Sequence, residues 1–578
     1  MKRILSIFVL IFVLCTGVVL AQTTSGSITG NVVDAQRSAI ANATVTITDV
    51  DKGFTQTATT DEQGRFVFPQ VPPGTFDIVI EATGFKKQER KVALVSNDKL
   101  SLGNMMLEVG AVSETVEVTA EATLIQSESG ERSSGVQSEE LRNIGIKDRS
   151  FVNFVTLVPG VISNTSNGAA GDISSLYVNG TRQNSNNVQI DGVTSVDTGN
   201  NSLLARIPVE AIGELKVLTS GYQAEYGRST GAQVIATTRS GSMDFHGAFY
   251  FYRRQTGLNA NGWLNNRNGV PRAFQDQKDT GYNIGGPIYI PRLFKNRKRL
   301  FFFWNQEYAH RFTPPTGPTN VRVPTALERT GDFSQSRDNN GNLFPFIRDF
   351  TLNLPCSATN TTGCFKDGGV LGKIPQNRLY PLGMKILSLY PLPNYTPVGN
   401  DNFNYRTQAS SQTPERNDTL RIDYNMSKNW RIWGRWLNTA STSQLPYGNS
   451  GLGLSTNLPD FGATQKTPKY SYSATVTGAI NPTTVVEFTY GISHNLIDLR
   501  VSTDGATRAS TGLATFPLLY PDALYLDQIP NFTWGGRVAN GPSIDTKSGS
   551  FENFNKTQDF VGSISKVWGD HVSKAGML

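Results

Sequence analysis

The sequence has few of the residues that bind metals or form covalent crosslinks. Its 578 residues include only three cysteines and four histidines. Two of the cysteines, Cys356 and Cys364, lie beyond the N-terminal region, and neither has a histidine or a further cysteine at metal-ligand spacing. We therefore expect no metal site and no disulfide scaffold, but a single loop disulfide between these two cysteines in an oxidising compartment.

Charged and hydrophobic residues are also scarce. They make up 17% and 38% of the chain, both below ordinary globular usage. The composition excludes a coiled coil, and the 10% of aromatic residues excludes a disordered charged chain. The net charge of +6 is spread along the chain, so we expect no nucleic-acid partner. The 55 glycines are typical of a β-rich protein with many turns.

Long apolar runs are missing after the N-terminus. Met1, Lys2 and Arg3 precede an apolar stretch that continues to Leu20, and the small residue Ala21 follows. This pattern predicts a secretory signal peptide over residues 1–21, whereas a membrane anchor would need a longer span. We expect an exported chain whose membrane spans are β-strands.

Residues 26–109 have the pattern of a small β-sandwich. Residues 44–48 and 76–82 alternate between polar and apolar side chains, and turn residues occupy positions 61–64 and 72–74. Short strands about ten residues apart favour a sandwich over a βαβ fold.

A short alternating segment follows the predicted sandwich. Its polar and β-branched residues suit an extended strand, which is either the last strand of the sandwich or a peptide that pairs with a partner's sheet edge. The spacing alone does not decide between these two interpretations. The segment consists of Glu114, Thr115, Val116, Glu117, Val118, Thr119 and Ala120.

Further strands are predicted in the next hundred residues. Residues 157–161, 176–180 and 188–193 are predicted strands, and Asn-Gly and Asp-Gly turns end the last two. Residues 207–212 suggest a helical turn, and 214–218 and 233–239 two more strands. Residues 227–231 match the nucleophile-elbow pattern, but a strand instead of a helix follows, so we expect no catalytic serine.

From Phe245 onward, amphipathic segments of a length suited to tilted membrane strands recur along the chain. Long and short connections alternate strictly between them. This alternation is typical of an outer-membrane barrel, and a soluble sandwich would have no reason to sort its loops in this way. The segments lie near residues 245–254, 279–290, 299–311, 416–425, 429–439, 468–480, 484–496, 557–568 and 571–578.

Several motifs resemble known families. Residues 26–34, 61–66 and 73–74 resemble the carboxypeptidase regulatory-like domain, a transthyretin-like sandwich without peptidase chemistry. The order of the motifs in 114–241 resembles the plug domain of TonB-dependent outer-membrane receptors, in which residues 114–120 would be the TonB box. Residues 219–222 replace the usual Arg-Gly-Pro run, a variation known in the Oar-like branch of that family.

The resemblance implies a mainly β fold with three domains. These are an N-terminal transthyretin-like β-sandwich (26–109), a TonB box with an α+β plug domain (114–241), and an incomplete transmembrane antiparallel β-barrel (245–578). A complete barrel of the family has about 22 strands, more than the segments found here. The last segment is also short and ends at Leu578 instead of an aromatic residue. We therefore expect a C-terminally truncated sequence.

The resemblance also implies a function. We expect a receptor in outer-membrane lipid, with its N-terminal domain in the periplasm, that imports a scarce small ligand or oligosaccharide. A TonB-type inner-membrane energy-coupling complex would drive it, with no catalytic residue and no cofactor. Siderophores, glycans and peptides all remain open as ligands. The alternative is a surface adhesion or signalling protein that uses the barrel as an anchor, and the sandwich could be a spacer, a docking domain or a sugar-binding module.

Overall fold

A computed structural model of the chain describes residues 24–110, 115–117, 129–146, 149–163, 172–199, 201–223, 225–227, 229–289, 297–315, 317–399, 401–481, 483–501, 507–518, 528–534, 538–545, 551–569 and 571–578. The predicted signal peptide, residues 1–21, lies outside these ranges. Of residues 115–117 only the backbone is described. No helix within the described ranges is both long enough and apolar enough to cross a membrane.

Two sheets form the N-terminal sandwich. Because successive side chains of a strand point to opposite faces, the alternating sequence buries one apolar face of each sheet, including Ile28, Ile47 and Ile78. One sheet has the order β4-β1-β7, and the other has the order β3-β2-β5-β6-β8. The strands are β1 (Gly26–Val33), β2 (Thr44–Asp49), β3 (Thr55–Thr59), β4 (Arg65–Val71), β5 (Gly74–Glu81), β6 (Lys87–Leu94), β7 (Lys99–Met106) and β8 (Thr115–Glu117).

The next part is an α+β unit around a five-stranded sheet of order β13-β12-β15-β14-β9. The predicted Asp-Gly turn joins β12 to β13, with positive φ at both Asp191 and Gly192 as a type I′ hairpin requires. The elements are β9 (Arg132–Gln137), α1 (Ser138–Asn143), α2 (Val152–Val155), β10 (Val161–Ser163), β11 (Leu176–Val178), β12 (Asn187–Ile190), β13 (Val193–Thr194), β14 (Ile212–Ser220) and β15 (Gln233–Thr238).

One strand prediction in this unit is wrong. Residues 157–161 were expected to be extended, but residues 157–160 form turns after α2, and β10 begins only at Val161. The amide of Val158 donates to the carbonyl of Val155, which continues the turns of the helix. A short apolar run does not distinguish a strand from a buried helical segment, and burial of Phe154 and Val158 at helical spacing decides it here.

The C-terminal part is a ten-stranded antiparallel sheet. Its strands correspond to the nine predicted crossing segments, with the short β27 as an addition. Within the described residues, β16 and β32 are its two edges and do not pair with each other. The sheet contains β16 (His246–Gln255), β17 (Asp276–Pro287), β18 (Leu300–Thr313), β23 (Ser411–Asn425), β24 (Trp430–Leu445), β27 (Ala463–Lys466), β28 (Lys469–Asn481), β29 (Thr484–Val501), β31 (Phe551–Trp568) and β32 (His571–Met577).

The two faces of this sheet have inverted polarity compared with a soluble protein. The outward face exposes large apolar side chains such as Phe249, Phe488 and Phe560, whereas the inward face buries polar ones such as Asn305 and Thr475. An apolar outer band with a polar interior is the arrangement of a membrane β-barrel. The predicted mainly β fold, with sandwich, plug and barrel sheet in that order, is confirmed.

The long connections fold against one another at one end of the sheet. Their apolar residues, among them Val323, Tyr390 and Leu458, form a separate buried cluster. Their elements are α3 (Trp263–Arg267), β19 (Thr319–Val321), β20 (Lys366–Asp367), β21 (Val370–Leu371), α4 (Pro381–Ser388), β22 (Tyr405–Thr407), β25 (Gly448–Asn449), β26 (Leu454–Thr456) and β30 (Ile544–Asp545).

A disulfide bond lies in the longest of these connections, between β18 and β23. It joins Cys356 to Cys364, whose Cα atoms are 4.9 Å apart. We expect alkylating reagents to label neither thiol in the native protein until it is reduced. Closing so short a loop should restrain it by roughly 2–3 kcal/mol, so a variant with both cysteines changed to serine should be cleaved faster in this loop by protease. Reduced and alkylated wild-type protein should behave like that variant, and labelling without prior reduction would contradict the prediction.

Candidate functional site

The carboxylate of Asp191 connects the plug with the barrel sheet. It belongs to the β12–β13 turn and is only 1% exposed. Within the plug, Thr238 donates its backbone N–H to Oδ1 (2.9 Å) and its hydroxyl to Oδ2 (2.8 Å). From the barrel, Arg421 reaches Oδ1 at 3.2 Å and Arg435 reaches Oδ2 at 3.1 Å. Asp191 therefore accepts hydrogen bonds from the plug and from the barrel sheet at the same time.

The charged contact continues from the barrel into the sandwich. Arg421 and Asp423 are two residues apart on β23, so both side chains lie on the inward face of the sheet. The guanidinium of Arg421 donates two hydrogen bonds, of 3.1 and 3.2 Å, to the carboxylate of Asp423. Lys52, in the turn after β2, places its Nζ 3.1 Å from Oδ1 of Asp423. We call the series Lys52, Asp423, Arg421, Asp191 and Arg435 the charge chain. It connects all three parts of the molecule.

The charge chain is expensive to break once it has formed. Removing one partner from a buried ion pair leaves an unpaired buried charge and costs about 3–5 kcal/mol, whereas an apolar replacement of the whole set is often neutral. The charge chain therefore favours the one position of the plug against the barrel sheet in which all of its charges are paired. It borders a cavity of about 80 Å³, which is enough space for water, so its charges can be rehydrated if the domains separate.

A glycine allows the barrel backbone to approach the same plug turn. A Cβ atom at Gly491 on β29 would lie 2.3 Å from Cγ2 of Val193, next to the Asp191 turn. Any larger residue would therefore push the plug away from this strand.

A second buried contact joins the sandwich to the plug. Lys216 on β14 is 1% exposed, and its ammonium lies 2.6 Å from Oδ1 of Asp98 and 2.9 Å from Oε1 of Glu131. Asp98 belongs to the turn between β6 and β7, and Glu131 directly precedes β9. One lysine thus holds both the sandwich and the first residues of the plug, and we call this arrangement the Lys216 contact.

Glu214, two residues before Lys216, lies beside this contact. Its Oε1 accepts a hydrogen bond from the backbone N–H of Ser96 at 2.9 Å. Burial raises the pKa of Glu214, the Ser96 amide and Lys216 oppose this shift, and the carboxylate of Asp98 adds to it, so that the pKa is about 7.

The candidate TonB box is described only in part. Of residues 114–120, the structure describes Thr115–Glu117, and the other four lie outside the described residues. This strand, β8, pairs in parallel with β6, with Val116 opposite Gln88. Residues 115–117 therefore belong to the sandwich sheet, which was one of the two interpretations of this sequence.

The sandwich lies at the end of the sheet where the connections are short. Ser25 donates its hydroxyl to Glu487 near the start of β29 (2.5 Å), and Gln70 donates to Ser563 on β31 (3.0 Å). The long connections lie at the opposite end.

Sequence analysis missed the charge chain, although a signal was present. Inward positions of membrane strands are polar, and Arg421 and Asp423 occupy two successive inward positions on a strand that the alternation had identified.

Ser229 is the serine of the nucleophile-elbow pattern, for which no catalytic role was expected. Its hydroxyl donates to the carbonyl of Ser185 at 2.6 Å, and β15 follows it. In the described ranges, no three His, Cys, Asp or Glu side chains are grouped to hold a metal.

Three known families match successive parts of the chain. Residues 27–108 match the carboxypeptidase regulatory-like domain, and residues 126–234 match the TonB-dependent receptor plug domain. Residues 237–578, more than half of the chain, match the outer membrane beta barrel domain.

Individual proteins resemble parts of the chain. The TonB-dependent transporter Oar of Myxococcus xanthus is 29% identical over 283 residues, which are 47% of this chain and 26% of that protein, so the chain spans about a quarter of the relative's length. Among solved structures, the outer membrane transporter YddB of Escherichia coli has 9% identity and a TM-score of 0.43, covering 75% of this chain and 45% of that one. The siderophore receptor PirA of Acinetobacter baumannii has 12% identity and a TM-score of 0.39, with coverage of 75% and 45%.

The charge chain leads to a first prediction for this site. Asp191→Asn should weaken the docking of the plug against the barrel sheet by about 3 kcal/mol or more, because two buried guanidinium groups lose the negative charge with which both pair. Limited proteolysis in membranes should cleave the plug faster than in wild type. Glu139→Gln, which neutralises an exposed acid on α1, should leave the cleavage rate unchanged, and equal rates in all three proteins would refute the role of Asp191.

Glu214 leads to a prediction about pH. A carboxyl group with a raised pKa in the folded state contributes stability that is fully present below its unfolded pKa and is lost as the pH rises through its folded value of about 7. Relative to Glu214→Gln, the wild-type free energy of unfolding should therefore fall by roughly 2–3 kcal/mol between pH 4.5 and 8. Calorimetric melting of both proteins across this range measures the difference. Parallel pH profiles would show that Glu214 is not perturbed.

Proposed function

The chain belongs to the outer membrane beta barrel family, and from this membership we propose that it imports a scarce ligand across the outer membrane. It is an Oar-like TonB-dependent receptor with an N-terminal carboxypeptidase regulatory-like domain. A TonB-type inner-membrane energy-coupling complex drives the import by pulling on residues 114–120. Siderophores, glycans and peptides are all compatible ligands. The receptor family is not a class of enzymes, and the proposed mechanism uses no catalytic residue.

The observation that carries this proposal is the kind of contact that holds the plug. Beside the apolar contacts of Phe303 and Leu437 with the plug core, the plug meets the barrel through the charge chain and through polar contacts such as Asp197 Oδ2 with the amides of Asn495 (3.1 Å) and Asn555 (3.0 Å). Water can replace each of these polar contacts when the plug moves. An interface made only of apolar side chains would lose its stabilisation as soon as it opened to water.

The position of the sandwich supports a direction of transport. Short turns of bacterial barrels face the periplasm and long loops face outward. The sandwich, which contacts Glu487 and Ser563 at the short-turn end, would then be periplasmic. The box segment next to it would be within reach of an inner-membrane complex, and the clustered long connections would meet the ligand outside the cell.

The pairing of β9 suggests how a pull could reach the plug. Among the described residues, β9 is the first plug strand after the box segment, lies at the edge of its sheet, and pairs only with β14. Its residues are mostly polar and partly exposed. Tension from the N-terminal side would act first on Glu131 at the Lys216 contact and then separate β9 from β14 one pair at a time, beginning at Arg132.

Substitution of Val116 tests the proposed coupling. Proline lacks the backbone N–H and interrupts a ladder of main-chain hydrogen bonds, so Val116→Pro should abolish energised uptake and leave ligand binding at the cell surface intact. Val116→Thr, which keeps the N–H and the β-branch, should retain uptake. Growth of a deletion strain carrying each variant, on iron-restricted and on polysaccharide media, measures the effect. Full complementation by Val116→Pro would overturn the coupling role and favour an adhesion or signalling protein.

A further inference from the structure

A cavity of about 280 Å³ lies between two of the long connections. One wall comes from the connection between β18 and β23, which includes α4, and the other wall comes from the connection between β29 and β31. Among the described residues, none from the plug lines this cavity. It therefore belongs to the cluster of long connections and is separate from the contacts that hold the plug.

Hydrogen bonds join the two walls of the cavity. The amide of Arg322, directly after β19, donates to the carbonyl of Asn540 at 2.7 Å. The indole N–H of Trp534 donates to the hydroxyl of Tyr390 at 3.3 Å, and the two rings pack edge to face. Tyr390 and Val323 belong to the buried apolar cluster of the long connections. The cavity therefore has fixed walls before any ligand arrives, as most small-molecule sites do.

Most of the lining is apolar, and three of the lining side chains are aromatic. These are Phe333, Phe344 and Trp534, and Val323, Ile347 and Leu387 are among the aliphatic ones. Such walls favour the burial of an apolar group, and an aromatic group can also pack against the rings. A sugar would find few hydrogen-bonding side chains here.

The charged side chains give the cavity a net positive charge, because Arg322 and Arg337 line it together with the single acid Glu328. The carboxylate of Glu328 already accepts hydrogen bonds from the hydroxyl of Ser336 and from the amide of Thr325. The guanidinium of Arg322 forms neither an ion pair nor a hydrogen bond with any described residue. A guanidinium beside an apolar wall can bind a carboxylate through two parallel hydrogen bonds.

We propose that this cavity binds an apolar carboxylate, with the apolar group between the aromatic rings and the carboxylate at Arg322. The inference rests on the proposed function and narrows its ligand class. A peptide with an apolar C-terminal residue presents both groups, whereas a neutral glycan lacks both and the iron-binding groups of a siderophore are polar. A free aromatic acid has the same chemistry as the peptide end, so the experiment compares these two sources.

Matched probes test the site in the full-length receptor, purified in detergent. N-acetyl-phenylalanine carries both groups, and its amide differs by lacking the negative charge. In equilibrium dialysis, we expect the acid to bind at least tenfold more tightly than the amide. Arg322→Gln should remove this preference but retain weak binding of both probes, which an unfolded cavity would not. Trp534→Ala should weaken the binding of both probes.

Arg348→Gln is the matched control for Arg322→Gln. It removes an exposed arginine of the same connection that does not line the cavity, so it should keep the preference for the acid. Equal binding of acid and amide by the wild type, or no binding of either, would contradict the proposed site. Loss of the preference in both arginine variants would contradict the role of Arg322.

The same dialysis compares the two sources of the carboxylate. The compounds are a longer peptide that ends in phenylalanine and free phenylpropanoate. Tighter binding of the peptide identifies a peptide end as the ligand, and tighter binding of phenylpropanoate identifies a free aromatic acid. Either result supports an apolar carboxylate site, and failure of both compounds to bind contradicts it.

Uptake separates this inference from the proposed function. A labelled peptide that ends in phenylalanine and is too large for porins is supplied to cells with and without TonB. We expect uptake only with TonB, and at least tenfold slower uptake in Arg322→Gln. Acid-selective binding without TonB-dependent uptake would contradict the proposed import and leave the binding site intact. TonB-dependent uptake that is equal for the peptide and its C-terminal amide would contradict the site and leave the import intact.

Discussion

The position of the plug against the barrel sheet depends on one buried carboxylate, which forms ion pairs with two guanidinium groups. Asp191 forms ion pairs with Arg435 and with Arg421, and Arg421 also pairs with Asp423. Since each of these charges would be costly to bury alone, the plug turn and the two barrel strands can come together only in an arrangement that pairs all of them. The alternation of β23, the tight turn at Asp191 and the glycine on β29 all serve this arrangement.

The sandwich is held by contacts of the same physical kind. Lys52 joins it to the barrel and Asp98 joins it to the plug, in both cases through an ion pair that is largely removed from solvent. When such a contact opens, water can hydrate both of its charges. Such contacts suit the proposed function, in which the three domains stay together at rest and separate during import.

Much of the architecture could be predicted from local pattern. The period-two alternation in residues 421–424 and 430–436 located membrane strands, and the sorting of connections by length distinguished the two ends of the barrel. The Asp-Gly pair predicted the turn that carries Asp191. The pattern was misleading at residues 157–161, where a short apolar run fits a strand and a buried helical segment equally well, and only packing of Phe154 and Val158 into the plug core decided the outcome.

By itself, the sequence determined the order of the domains, the strands that face lipid and the turns between them, because these depend on neighbours within a few residues. It could not determine which inward charges meet, since Lys52, Asp191 and Arg421 are far apart along the chain and come together only when three domains dock. Nor could it decide whether residues 114–120 form a sandwich strand or a free peptide, because both need the same alternation. Only the tertiary structure decided this for residues 115–117, which pair with the edge of β6.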